Sequence, residues 1–247
     1  MRIGVSTLAL TPSPLGEMLE YIEALGAECC EIIYEHPLSE VEVTDSHSLE
    51  FTVHAPISDI NIASLNDTVR EASIREVESA VDLAVELDSD VVVVHPGTVP
   101  FLGRPYRDLI AERNLESLAA ISEYASDRGV GVYPENMPRL EGPLLRKLEE
   151  LWGVAEELGV MVTLDAAHAA TMGYSTEEMV SAHVGHVHLS DNTGEVDSHD
   201  ALGEGSLDFQ ALLDGLRGAG YSGVLTVEVK TPDEVRQSVE FLRNIMP

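Results

Sequence analysis

Lysine is almost missing from this chain of 247 residues: Lys147 and Lys230 are its only two, and arginine supplies the other cations. Against 14 lysines and arginines stand 44 aspartates and glutamates, a formal net charge of −30 at pH 7. A field this negative slows the approach of nucleic acid or of an anionic membrane unless a local positive site overrides it. An acidic surface shared across an organism that lives in high salt or heat accounts for the same charge and says little about a partner. Cysteine is as scarce. Cys29 and Cys30 are adjacent, and neighbours on a strand point to opposite faces. That argues against a disulfide framework and leaves no zinc-type cysteine spacing, so reduced thiols and a cytoplasmic location are the expectation. Long apolar runs are absent too. Bursts such as "VVVV" at 91–94 are far too short to span a bilayer. The opening "MRIGVSTLALTPSP" reads as a first strand rather than a signal peptide. No GxGxxG follows it, which removes the usual dinucleotide signal.

What is present suits one large domain. A hydrophobic fraction of 44% is ample for a core, and α/β barrels of this length fold as single units. Short β-branched runs at 2–8, 29–35, 49–55, 90–95, 130–135, 160–165, 184–190 and 223–229 are the strand candidates. Helical spacing fills the gaps. In 15–26, Leu15, Met18, Leu19, Ile22 and Leu25 follow a three–four rhythm, and 67–88 repeats it behind a plausible Asp67 cap. Further helices are expected at 107–128, 140–158, 175–182, 207–219 and 232–245. The stretch 36–48 gives no convincing helix. Runs such as "DVVVVHPG" suit strands buried on both faces, as in parallel sheets. Strand–helix alternation repeated eight times without a linker predicts one domain over 1–247, a closed (β/α)8 barrel.

In such a barrel the chemistry belongs where strands end and loops begin. Strand three ends "TVHAP" with His54, and strand four "VHPG" with His95. Strand five ends "YPEN" with Glu135, and strand six "TLDAAH" with Asp165 and His168. Strand seven carries "HVHLSD" with His188, and its loop holds Asp197 and His199 in "DSH". Strand eight, "TVEVK", carries Glu228. Any one of these histidines alone is more often a hydrogen-bonded residue than a ligand. Four carboxylates aimed into one barrel mouth, however, need cations to stay ionised together. Five histidines beside them complete a nitrogen and oxygen set suited to zinc, manganese or related ions. Nine ligands are too many for one ion and suit two or three, and three divalent ions would make the site locally positive. His186 shares a strand face with His188 one layer deeper and is read as core.

At these residues the sequence resembles the endonuclease IV family, within the wider superfamily of xylose isomerase-like TIM barrels. "VHAP" followed by "INIASLNDTVREASI" looks like that family's third βα unit, and "DSHDALGEG" is similar to its aspartate–x–histidine element. The resemblance covers nearly the whole chain. It implies a trinuclear zinc site on His54, His95, Glu135, Asp165, His168, His188, Asp197, His199 and Glu228. It also implies hydrolysis of a phosphodiester in abasic-site DNA or a related phosphate ester, with a metal-bridged hydroxide attacking phosphorus. Glu135, Glu228 and His168 are the candidate catalytic residues. Arg104, Arg107, Arg139 and Lys230, near the barrel mouth, are candidate contacts to substrate phosphate. The sequence departs from the DNA-cleaving pattern in loops that read as short after strands two, seven and eight, and in "IIYEHP" after strand two, which is acidic.

The rival expectation is a sugar or sugar-phosphate isomerase or epimerase on the same scaffold. Those relatives hold one Mn²⁺ or Mg²⁺, here through Glu135, Asp165, His188 and Glu228, while glutamates flanking the substrate carbon move the proton. His95, Asp197 and His199 count against it, because a one-ion site has no need of them. A binding module that keeps the site without turnover is the third class. No membrane partner is expected, and the oligomeric state is open.

Overall fold

The computed structural model describes residues 1–35, 38 and 41–246. Eight strands alternate with helices: β1 Arg2–Ser6, α1 Leu15–Ala24, β2 Cys29–Ile33, β3 Glu50–His54, α2 Asp67–Glu86, β4 Val91–Val94, α3 Arg107–Ser126, β5 Gly131–Pro134, α4 Leu148–Leu158, β6 Val162–Asp165, α5 Ala166–Thr171, β7 Val184–Leu189, α6 Phe209–Gly218, β8 Val224–Val227 and α7 Pro232–Ile245. The strands are parallel and ordered β5-β4-β3-β2-β1-β8-β7-β6. A parallel bridge between Glu135 and Thr163 joins the two ends, helped by the Thr163 hydroxyl donating to the Tyr133 carbonyl. The cylinder therefore closes just where β5 ends in Glu135, as the expected (β/α)8 barrel.

The local reasons are ordinary ones. The four valines of β4 are all buried, because helices cover the outside while barrel side chains fill the inside. Asn66 caps α2 by accepting from the Thr68 N–H at 3.1 Å, a position earlier than the expected Asp67. Val77, Ala80, Val81 and Ala84 of α2 are fully buried. On α3, Ile110, Leu118 and Ile121 are equally enclosed. Truncating one such leucine or isoleucine to alanine costs roughly 2–5 kcal/mol.

Three expectations for elements and one for a loop need correction. Helix 140–158 begins only at Leu148, because Gly142 takes φ 117° and Pro143 leads a stretch that bridges back to Thr98. Segment 175–182 forms turns rather than a helix; its bonds from Met179 to Ser175 and from Val180 to Glu177 do not propagate. A short helix that the sequence reading missed, α5, follows β6 at once, capped by Asp165 through the His168 N–H at 2.7 Å. The segment after β7 is not short: it runs from 190 to 208 before α6 begins. Within 36–48, a 3₁₀ turn spans Val41–Ser46; His36, Pro37, Ser39 and Glu40 lie outside the described residues.

Candidate metal centre

All nine residues singled out as ligands meet at the carboxyl ends of the strands, in three groups of which two share Glu135. His54, His95 and Glu135 form one; Glu135, Asp165, His188 and Glu228 a second; His168, Asp197 and His199 a third. Strand register explains the convergence. Asp165 and His188 are paired neighbours across β6 and β7, so both reach the same layer. Glu135 stands between the first two groups. Its Oε2 lies 3.1 Å from His95 Nε2 and 3.4 Å from His54 Nε2, and its Oε1 lies 3.3 Å from His188 Nδ1. Asp197 Oδ2 sits 3.1 Å from Nε2 of both His168 and His199. His188 and Glu135 are fully buried, whereas the side chains of His95 and His199 are about a fifth exposed. The site thus opens on one side.

His199 belongs to the long segment after β7 and carries φ 45°, a left-handed backbone that costs energy outside glycine. Mutual backbone bonds of 2.9 Å between Asp191 and Asp200 hold that corner, and His199 Nδ1 is 2.9 Å from the Glu228 carbonyl. A costly conformation kept at a group that faces Asp197 fits a positioned ligand.

The residues fit a divalent metal. Buried oxygens and nitrogens that lack a hydrogen-bond partner among the described residues include His54 Nε2, Glu135 Oε2, Asp165 Oδ2 and Asp197 Oδ1. Burying such atoms unsatisfied is costly, and it is rare unless an ion or water completes them. Electrostatics agree. Burial alone would lower His168, but Asp165 and the contact with Asp197 raise it to about 10. His199 likewise is raised to about 9, mainly by Asp197. Burial lifts the Asp165 carboxyl to about 6. Burial pushes Glu135 up too, but His188 and His95 more than offset it and hold that carboxyl well below its usual range. Protonated histidines thus do in the metal-free cluster what cations would do.

The chain matches the family model for xylose isomerase-like TIM barrels over residues 19–245. It belongs to that family. This xylose isomerase-like barrel is 35% identical over 262 residues to an uncharacterized protein of Methanocaldococcus jannaschii, MJ1311, covering 100% of this chain and 89% of that one. A probable endonuclease 4 of Mycobacterium leprae is 28% identical over 248 residues, covering 90% of this chain and 92% of that protein. Among solved structures, a D-tagatose 3-epimerase-like protein superposes with a TM-score of 0.92 at 35% identity, covering 100% of this chain and 97% of that one. An L-ribulose 3-epimerase at 18% identity and TM-score 0.83 shares the fold.

The four cations read as phosphate contacts divide into two kinds. Arg104 and Arg107 line a cavity of about 320 Å³ together with Arg146, Glu141 and Phe101, and Arg104 is paired there with Glu141 and lies over the Phe101 ring. Arg139 is committed to the protein itself, its Nε donating to the Thr171 carbonyl at 2.6 Å. Lys230 pairs with Asp200 at 2.9 Å. One residue of the centre escaped the sequence reading altogether. Glu31, on β2, is fully buried beside His188 and His186, so His186 is no inert core residue. Its place two residues before His188, on the same face, was the available signal.

Proposed function

We propose that this barrel is a divalent-metal-dependent isomerase or epimerase acting on a sugar or sugar phosphate. The observation that carries the reading is the buried group Glu135, Asp165, His188 and Glu228 at the carboxyl ends of β5 to β8. The name of the 35% identical D-tagatose 3-epimerase-like structure supports it. When bound, Mn²⁺ or Mg²⁺ would supply a Lewis acid toward adjacent substrate oxygens. Glu135 is held ionised by its histidines, and Glu228 by His188 at 3.2 Å. Both carboxylates are therefore able to accept a proton from a substrate carbon and return it. His168 is protonated between the Asn136 carbonyl at Nδ1 and Asp197 at Nε2, so it orients that carboxylate and spends both N–H groups on the protein.

One observation favours a second reading, a phosphate-ester hydrolase holding as many as three zinc ions. His95, Asp197 and His199 complete two further ligand groups that a one-ion site does not use. Elemental analysis of protein loaded with Mn²⁺ or Zn²⁺, beside assays on a panel of ketoses and on abasic-site duplex DNA at high salt, separates the two. The proposal expects metal-dependent ketose epimerisation, abolished in Glu135→Ala and changed less than about tenfold in His199→Ala. Three ions per chain, cleavage of the duplex or of a simpler phosphate ester, and a loss of about 100-fold or more in His199→Ala would establish the hydrolase instead.

A further inference from the structure

We infer that Glu31 is a positioning residue for the central ligand group, holding His188 so that Nδ1 rather than Nε2 serves as its ligand atom. The inference rests on Glu135, Asp165, His188 and Glu228 being a metal group. Its ground is a contrast among the histidines. In His54, His168 and His199 the Nδ1 atom lies 2.7, 2.8 and 2.9 Å from the carbonyls of Ala55, Asn136 and Glu228. An Nδ1–H donating there leaves Nε2 free, and each Nε2 faces a carboxylate of the cluster. His188 is reversed. Its Nδ1 is 3.3 Å from Glu135 and 3.2 Å from Glu228, and its Nε2 is 2.9 Å from Glu31 Oε1.

Among the described residues no backbone carbonyl is bonded to the His188 ring, which belongs to a barrel whose strand carbonyls are spent on the sheet. A carboxylate from β2 takes that part. His188 Nε2 and Glu31 Oε1 are both fully buried, and neither has another hydrogen-bond partner among the described residues. The two atoms stand 2.9 Å apart with the N–H not aimed straight along that line, so each is the other's nearest available partner. The other carboxylate oxygen is pinned: His186 Nε2 lies 2.8 Å from Oε2, and the Thr52 hydroxyl donates to it at 3.1 Å. Thr226 in turn is 3.1 Å from His186 Nε2. A buried charge held this firmly is a poor way to build a core, where an apolar residue of similar size does as well or better. A carboxylate behind a metal-ligating imidazole, by contrast, fixes its tautomer and raises its basicity.

The test uses the full chain and Zn²⁺. In wild-type protein with labelled histidines, ¹⁵N NMR is expected to show His188 bound to zinc through Nδ1 with the proton on Nε2. Glu31→Gln offers one acceptor oxygen where two histidine N–H groups need one each. Competition against a chelator is expected to show zinc affinity at this group weakened by about 10–100-fold. A purely structural Glu31 would instead lower the melting temperature of the metal-free protein and leave the affinity of the folded fraction unchanged. That result, or zinc on His188 Nε2, overturns the inference, and the NMR measurement decides alone if Glu31→Gln does not fold. Wild-type protein that binds no divalent ion overturns the metal reading itself.

Discussion

Asp165 and His168 sit at the start of one short helix and are both driven upward, the acid to about 6 by burial and the base to about 10 by its carboxylate neighbours. The consequence is a proton count. At pH 7 the metal-free His168 and His199 are both charged, since they titrate at about 10 and about 9. A ligand histidine must be neutral. An ion taken up by His168, Asp197 and His199 therefore expels up to about two protons, one from each imidazole. Because the metal-free pKa values are raised, the apparent affinity climbs with pH through 9 and 10 and levels off above, where no proton remains to be displaced. Zinc titrations by calorimetry at pH 7, in buffers with different ionisation heats, read the count directly. An uptake with no proton release would remove these two histidines from the ligand set.

At the scale of elements, the segment from 190 to 208 is the part of the site most exposed to a single change. Asp191 is fully buried and gathers four backbone N–H groups. Oδ1 accepts from Asn192 at 2.9 Å and Leu207 at 3.2 Å, and Oδ2 accepts from Gly203 at 3.0 Å and Gly205 at 2.8 Å. Gly205 fits only as glycine, because a Cβ there would stand 2.3 Å from the Asn192 carbonyl oxygen. Asp191→Ala strands those N–H groups, at a cost on the order of 3–5 kcal/mol. Where the centre holds more than one ion, as in the hydrolase reading, the variant is expected to lose the ion nearest Asp197 and His199 while keeping the one nearest Glu135 and Glu228. Metal analysis after dialysis checks this, and a full complement in the variant would show that the segment holds its shape by other means. The same segment marks what the sequence made legible. Strands announced themselves as β-branched runs, and their ends together with the segments that follow them named nine of the ten side chains at the centre, because in a parallel barrel every strand end faces one mouth. Helix starts were harder. Gly142 and Pro143 interrupt a pattern whose apolar spacing continues through them. Glu31 was hidden for a different reason: "CCEII" says nothing of which face turns inward, and its partners lie far along the chain on β7.

Over the whole molecule, the dominant fact is the −30 charge. Several of the few cations are tied in local pairs such as Arg113 with Glu116 and Arg217 with Asp214, three residues apart on a helix. Exposed pairs of this kind contribute about 0–1 kcal/mol each, too little to offset repulsion among so many carboxylates. That repulsion acts over a distance of about 10 Å at 0.1 M salt and about 3 Å at 1 M. Folding concentrates the charge, so screening stabilises the folded chain more than the extended one. The melting temperature of metal-free protein in chelator is therefore expected to rise from 0.1 M to 2 M KCl, with most of the gain reached by about 1 M, where the screening length has already collapsed. Chloride rather than sulfate is the salt to use, because sulfate strengthens apolar burial by itself. Loading the centre with zinc should shrink the dependence by the net charge gained, which is two per ion less the protons its histidines release. A flat or falling melting curve in KCl would mean that the surface carboxylates are spaced widely enough for water alone to keep them apart.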